Sequence, residues 1–217
     1  MNRGVLAGLE KRLLIWMAER LPHGINSDHL TAVGALAMIG VGGCFWLADT
    51  SHAALIAVIP LLALNWFGDS LDGTVARVRH IERPRYGYYV DHVLDAVGFA
   101  ALIGGLILGQ QMSVGIGLGL LAAYYLLVIE VALGAHALGA FRMSFWNIGP
   151  TELRILLAAG VLQLWRSPEL VLFGSPWRLF DVGGACGIAG FVLTFAVAAY
   201  RNARTLYRQE PLPRARA

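Results

Sequence analysis

The sequence predicts an all-α polytopic membrane protein, with six transmembrane helices preceded by an N-terminal amphipathic helix lying in the membrane interface. Three observations predict it. Of 217 residues, 57% are hydrophobic and only 14% charged, well below the roughly 25% charge of a soluble domain. Apolar runs long enough to cross a hydrocarbon core of about 30 Å recur along the chain. Arginines gather in alternate connections between those runs. Seventeen Lys+Arg against fourteen Asp+Glu leave a net charge of only +3, and so apolar a chain has little solvated surface for a basic groove, which argues against nucleic acid as a partner. Cys44 and Cys186 lie in apolar runs without metal-ligand spacing, so neither a zinc site nor a disulfide framework is expected.

The elements follow in order. Val5 to Arg20 is interrupted by Glu10, Lys11, Arg12, Glu19 and Arg20, which excludes a signal peptide. Leu6, Leu9, Leu13, Trp16 and Met17 recur at helical spacing opposite those charges, so residues 1–22 read as an interfacial helix, an ordinary soluble helix being the alternative. After the break at Pro22–Gly24, spans are expected at 29–48, 53–79, 87–109, 112–140, 150–167 and 180–203, with the second and third extending past the lipid into water. The stretch from Ala96 to Ile129 carries no charge and is too long for one span, and Gln110-Gln111 in its middle marks the turn of a hairpin. Arg3, Lys11, Arg12 and Arg20 precede the first span. Arg77, Arg79, Arg83 and Arg85 join the second and third, Arg142 and Arg154 flank the connection between the fourth and fifth, and five arginines end the chain. The other side holds Arg166 and Arg178. The positive-inside rule then places both termini and the loop between the second and third spans in the cytoplasm, in the inner membrane if the cell is bacterial. No repeat or linker divides the chain, so residues 1–208 form a single membrane domain. Residues 209–217, with Pro211 and Pro213 between arginines, form a disordered basic tail drawn to anionic lipid.

Charges at the ends of membrane helices are costly, and most of them sit in one place. Asp69 and Asp72 are three residues apart and share a helical face, which Gly73 and Ala76 line with small side chains. Asp91 and Asp95 repeat the arrangement on the next helix, which the short loop makes antiparallel to the first. Four carboxylates therefore converge at the cytoplasmic end of a helical hairpin. Their mutual repulsion at reduced dielectric calls for cations, and ligation through oxygen alone points to Mg²⁺, Mn²⁺ or Ca²⁺. Divalent ions near the interface, with Arg77 alongside, suit a substrate that carries a diphosphate. Gly73 and Ala76 would let a nucleotide come close to the backbone, although small residues also serve plain helix packing. A carboxylate perturbed by metals and like charges is a plausible acceptor for the proton of an attacking hydroxyl.

This segment resembles the CDP-alcohol phosphotransferase family, whose motif is D-x-x-D-G-x-x-A-R, eight residues, then G-x-x-x-D-x-x-x-D. Asp69, Asp72, Gly73, Ala76, Arg77, Gly87, Asp91 and Asp95 match its positions. One departure is plain: nine residues, Val78 to Tyr86, replace the eight. A bulge in the loop near Pro84 would absorb the extra residue, whereas a continuous helix would shift the register of Gly87 to Asp95. Ser27-Asp28-His29-Leu30-Thr31 resembles a variant of the P-N-x-x-T element that opens the first span in that family, bringing Asp28 and Thr31 among the substrate-binding candidates. The resemblance implies a transferase of phospholipid synthesis that displaces CMP from a CDP-linked alcohol by the hydroxyl of a second alcohol. It further implies two ions, Mg²⁺ or Mn²⁺, bridging carboxylates and diphosphate, and a homodimer. Asp69, Asp72 and Asp91 would be metal ligands, and Asp95 a ligand, a base, or both.

Further polar residues join the candidates. Glu130, alone in the fourth span, either faces a hydrated substrate cavity, the favoured reading, or pairs with another helix. Glu152 follows Pro150 at the start of the fifth span, where capping explains it and a role beside the metals is open. Trp66, Tyr88, Tyr89, Tyr124, Tyr125 and Trp146 form belts and core, or line a pocket. His92 lies three residues before Asp95, so the two can meet, and Asp95 would orient the imidazole to take a proton; the alternative is an imidazole satisfied by a backbone carbonyl. Family members that use CDP-choline or CDP-ethanolamine with diacylglycerol resemble D-H-x-x-D at this place, and those that use CDP-diacylglycerol resemble D-S-x-x-D. The sequence therefore favours a small polar CDP-alcohol as donor to a diacylglycerol-like acceptor, with CDP-diacylglycerol and a polar alcohol as the alternative. A divalent-cation transporter is the rival from another class.

Overall fold

A computed structural model describes residues 7–138, 150–167, 169–172 and 174–210. Its helices are α1 (Ala7–Arg20), α2 (Ser27–Leu47), α3 (Ala54–Val78), α4 (Pro84–Leu108), α5 (Val114–Leu138), α6 (Pro150–Arg166) and α7 (Leu179–Gln209), with strands β1 (Glu169–Leu172) and β2 (Ser175–Arg178) between α6 and α7. Among the described residues five helices, α2, α3, α4, α5 and α7, are long and apolar enough to cross a membrane. In their apolar windows only 11% to 33% of residues are buried within the chain. A soluble monomer does not expose so much contiguous apolar surface; lipid covers it here. The fifth expected span, 150–167, corresponds to α6, which has 17 residues.

Each turn has a local cause. Asn26 caps α2 by accepting from the His29 N–H, while His29 Nδ1 accepts from the Asn26 N–H, a reciprocal cap. At the end of α3, His80 takes φ 55°, its N–H bonds the Arg77 carbonyl and that of Ile81 bonds the Ala76 carbonyl. This is a Schellman stop. Arg79 then donates to the carbonyls of Ile25 and Leu21 at 2.6 and 2.7 Å, tying the loop to the α1–α2 connection. Pro84 opens α4 at its first turn. The segment between Arg77 and Gly87 is thus broken by a five-residue turn between α3 and α4 and is not a continuous helix. The expected turn at Gln110-Gln111 is a second Schellman stop, with Gln110 at φ 60° and N–H bonds from Gln110 to Ile107 and Gln111 to Leu106.

Between α6 and α7 lies an antiparallel hairpin that the span pattern did not signal, with Leu172 opposite Ser175 and Gly174 at φ 79° in the turn. α1 is amphipathic as expected, but it divides its apolar residues between two environments. Leu14 and Ala18 are buried with Leu30, Leu71 and Val75 of α2 and α3, while Leu13 and Trp16 are exposed. The main core is built on α2, α3 and α4, with Leu120 of α5, Val161 and Leu164 of α6 and Phe180 of α7 packed into it; Val41, Phe45, Leu55 and Val58 are fully buried and Phe45 meets the edge of Phe180.

The structure corrects one expectation about polar residues in the spans. Glu130 is buried and accepts from Asn202 Nδ2 of α7 at 2.7 Å. It pairs with another helix, the second of the two readings. The favoured reading failed because periodicity within α5 says nothing about an amide one span away.

Candidate metal and substrate site

The aspartate face of α3 is set by how closely α2 approaches it. A Cβ placed on Gly68 would lie 2.5 Å from both the Gly34 nitrogen and the Leu30 carbonyl oxygen, and one on Gly34 would lie 3.1 Å from the Asp69 nitrogen. Two backbones in contact at this crossing leave Asp69 little freedom. The antiparallel α4 brings in the second pair. One carboxylate oxygen from each of Asp69, Asp91 and Asp95 lies within 4.8 Å of the others. Asp69 and Asp91 are half-buried and Asp95 is exposed.

Oxygen ligands of a magnesium-sized ion at about 2.1 Å stand roughly 3–4 Å apart, and those of calcium somewhat further. The donor set therefore fits a hard divalent ion with small side-chain adjustments. Asp72 stands differently from the other three. Its Oδ2 accepts from the Thr31 hydroxyl at 2.6 Å, and its Oδ1 accepts from the N–H of Gly73. Thr31 thus reaches the aspartate motif from α2. Asp28 pairs with Arg83 in the α3–α4 turn, and the hydrogen bond from that guanidinium to Asp28 raises the Arg83 pKa.

Around the carboxylates, Arg77 is exposed and folds back along α3, donating to Thr74 Oγ1 at 3.0 Å. It passes Gly73 so closely that a Cβ there would lie 3.3 Å from its Nη1. At Gly87 a Cβ would meet nothing within 4 Å, so packing does not require glycine and the space beside it is open. The Ala76 carbonyl accepts the Schellman bond that ends α3, so its part is tied to the turn above the aspartates. Glu152 is on α6, but its side chain lies outside the described residues, as does Trp146. His92 Nδ1 lies 2.9 Å from the Tyr88 carbonyl, the ring lies 4.1 Å from that of Tyr88, and the carboxylate it meets, at 3.8 Å, is that of Asp91. The carbonyl contact is the one named in the second reading of His92. Phe99, one turn from Asp95, packs on Tyr124 with centroids 4.1 Å apart, and Tyr125 donates to the Ala96 carbonyl at 3.0 Å.

Two residues at the site were not singled out from the sequence. Arg154 forms an ion pair with Asp69 through Nη2 and donates from Nε to Asn65 Oδ1 at 2.6 Å. Asn65 is buried, and its amide donates to the Gly34 carbonyl at 2.9 Å. A signal existed for Asn65, a polar residue one turn before Asp69 in an apolar run. For Arg154 the signal was its charge near a span end, which was read for topology alone.

A family model for CDP-alcohol phosphatidyltransferases matches residues 27–198, a range that contains all four aspartates. No curated protein sequence matches the chain. Its fold is similar to the crystal structure of a Mycobacterium tuberculosis phosphatidylinositol phosphate synthase with CDP-DAG bound, at a TM-score of 0.67 and 22% identity over 88% of this chain and 94% of that one.

Proposed function

Because the chain belongs to the CDP-alcohol phosphatidyltransferase family and is an integral membrane enzyme of phospholipid synthesis, we propose that it transfers a phosphatidyl group from CDP-diacylglycerol to the hydroxyl of a polar alcohol, releasing CMP. Family membership removes the transporter reading. It also supports the reverse of the donor that the sequence favoured. That choice rested on His92 as a base oriented by Asp95, and the observation that carries the change is the match of residues 27–198 to the phosphatidyltransferase family. The phosphatidyl group in the family's description and the CDP-DAG bound in the fold's neighbour support the same donor.

In this reading Asp69, Asp91 and Asp95 would hold a divalent ion, and Asp72 would join as ligand to a second. When bound, Mg²⁺ or Mn²⁺ neutralises the diphosphate and stabilises the departing CMP. Arg77, Gly73, Ala76, Gly87, Thr31 and the Asp28–Arg83 pair line the nucleotide side. Asp95, the exposed member of the three, takes the proton of the acceptor hydroxyl as its oxygen attacks the phosphorus that bears diacylglycerol. The bond from that phosphorus to the oxygen of CMP breaks, and the pair of electrons leaves with CMP. With α6 counted as the fifth of six spans, the arginine pattern puts the site and both termini on the cytoplasmic face of a single domain over 1–208, assembled as a homodimer, with 209–217 as a basic tail.

The test is CMP release by purified protein with Mn²⁺ or Mg²⁺. CDP-diacylglycerol with a panel of polar alcohols should support it. Release only from CDP-choline or CDP-ethanolamine with diacylglycerol would overturn the donor assignment.

A further inference from the structure

Arg154 is held in place from two sides. Its Nε bonds Asn65, which is itself anchored on the Gly34 carbonyl. One turn earlier on α6, Thr151 donates to Glu10 Oε1 of α1 at 2.9 Å, and the same oxygen accepts from Trp66 Nε1 at 2.8 Å. α6 is thereby fixed against α1 and α3 at the height of the aspartates. The Arg154 side chain is only 12% exposed, and its charge partner is Asp69, one of the three carboxylates gathered within 4.8 Å. Three such groups repel one another at reduced dielectric, and a fixed guanidinium offsets part of that repulsion. The same fixed charge opposes an incoming divalent cation.

We infer that Arg154 is the internal counter-cation of the aspartate group: a positioning residue that holds Asp69 in the metal-free protein and competes with the divalent ion for that carboxylate. The inference rests on the reading that the aspartates hold such an ion. Because Asn65 and the Glu10–Thr151 clamp keep the guanidinium nearby, its charge acts on the site whether or not the ion is present. Arg154 thus stabilises the empty site and lowers its affinity.

The experiment uses full-length protein stripped with EDTA, with Mn²⁺ binding followed by the electron paramagnetic resonance of unbound Mn²⁺ and thermal melting measured without metal. Arg154→Gln should bind Mn²⁺ about tenfold more tightly than wild type, and its metal-free form should melt lower. Arg154→Lys, which keeps the charge, should match wild type in affinity. If Arg154→Gln does not survive stripping, Asn65→Ala, which loosens the guanidinium without removing its charge, should tighten binding in the same direction by a smaller factor. Weaker or unchanged Mn²⁺ binding in Arg154→Gln overturns the inference. So does tightening by Arg154→Lys equal to that by Arg154→Gln, since geometry rather than charge would then be responsible. Binding is read without substrate, so a wild-type protein that binds Mn²⁺ yet releases no CMP from CDP-diacylglycerol refutes the donor and leaves the inference standing.

Discussion

The group formed by α2, α3 and α4 packs differently from the pair formed by α5 and α7. Where α2 meets α3 and α4, glycines put backbone against backbone. A Cβ on Gly68 would strike Gly34 and Leu30 main-chain atoms, and one on Gly105 would strike the Gly42 carbonyl. Between α5 and α7, added atoms meet the ends of side chains. A Cβ on Gly184 would lie 2.6 Å from Ile116 Cγ2, and one on Gly187 2.9 Å from Leu120 Cδ1. In lipid, helices associate through close packing rather than through exclusion of water, so a backbone contact fixes geometry while a side-chain contact can adjust. The rigid group carries the aspartates. The adjustable pair carries Glu130, whose partner is an amide.

Replacing a carboxylate of the rigid group should have the largest effect. Asp91→Ala should lower CMP release by about three orders of magnitude, the loss of several kcal/mol of metal stabilisation at 1.4 kcal/mol per tenfold, with thermal melting close to wild type. Activity near wild type would break the comparison, since the chemistry would lie elsewhere. Gly68→Ala comes next: overpacking of about 1–3 kcal/mol should lower the melting temperature and, by displacing Asp69, also the turnover. The matching change in the other region, Gly187→Ala, should cost less than about 1 kcal/mol and leave turnover intact, because the Leu120 Cδ1 methyl at the end of its side chain can shift. Equal losses from the two alanines would show that both regions are equally rigid. Glu130→Gln keeps a hydrogen bond to Asn202 and should change turnover less than about twofold; a larger fall confined to KM would return Glu130 to the substrate path. The smallest effect is expected from Gln110→Gly, where relief of a left-handed backbone offsets the flexibility of glycine. A gain of up to about 1 kcal/mol in stability, read from thermal melting, would show that the α4–α5 turn carries strain without touching the site.

The difference between the two regions also governs what the sequence disclosed. Spans, the Gln110-Gln111 turn and the two aspartate pairs were legible because each is a pattern within one helix or one tight turn. A break between Arg77 and Gly87 was legible, since arginines and Pro84 mark it. What escaped were contacts between residues far apart in the chain: Arg154 with Asn65 and Asp69, Glu10 with Trp66 and Thr151, Glu130 with Asn202. Helical periodicity gives the face of a residue but not the helix that this face meets. The β1–β2 hairpin escaped because strands of four residues are too short for alternation to stand out.

The most direct test of the account is the location of Mn²⁺ by anomalous scattering from crystals of the protein grown with Mn²⁺ and CDP-diacylglycerol. The account predicts a peak bounded by Asp69, Asp91 and Asp95, with the diphosphate against it. A peak at Glu130, or a diphosphate bound away from the α3–α4 aspartates, would contradict it.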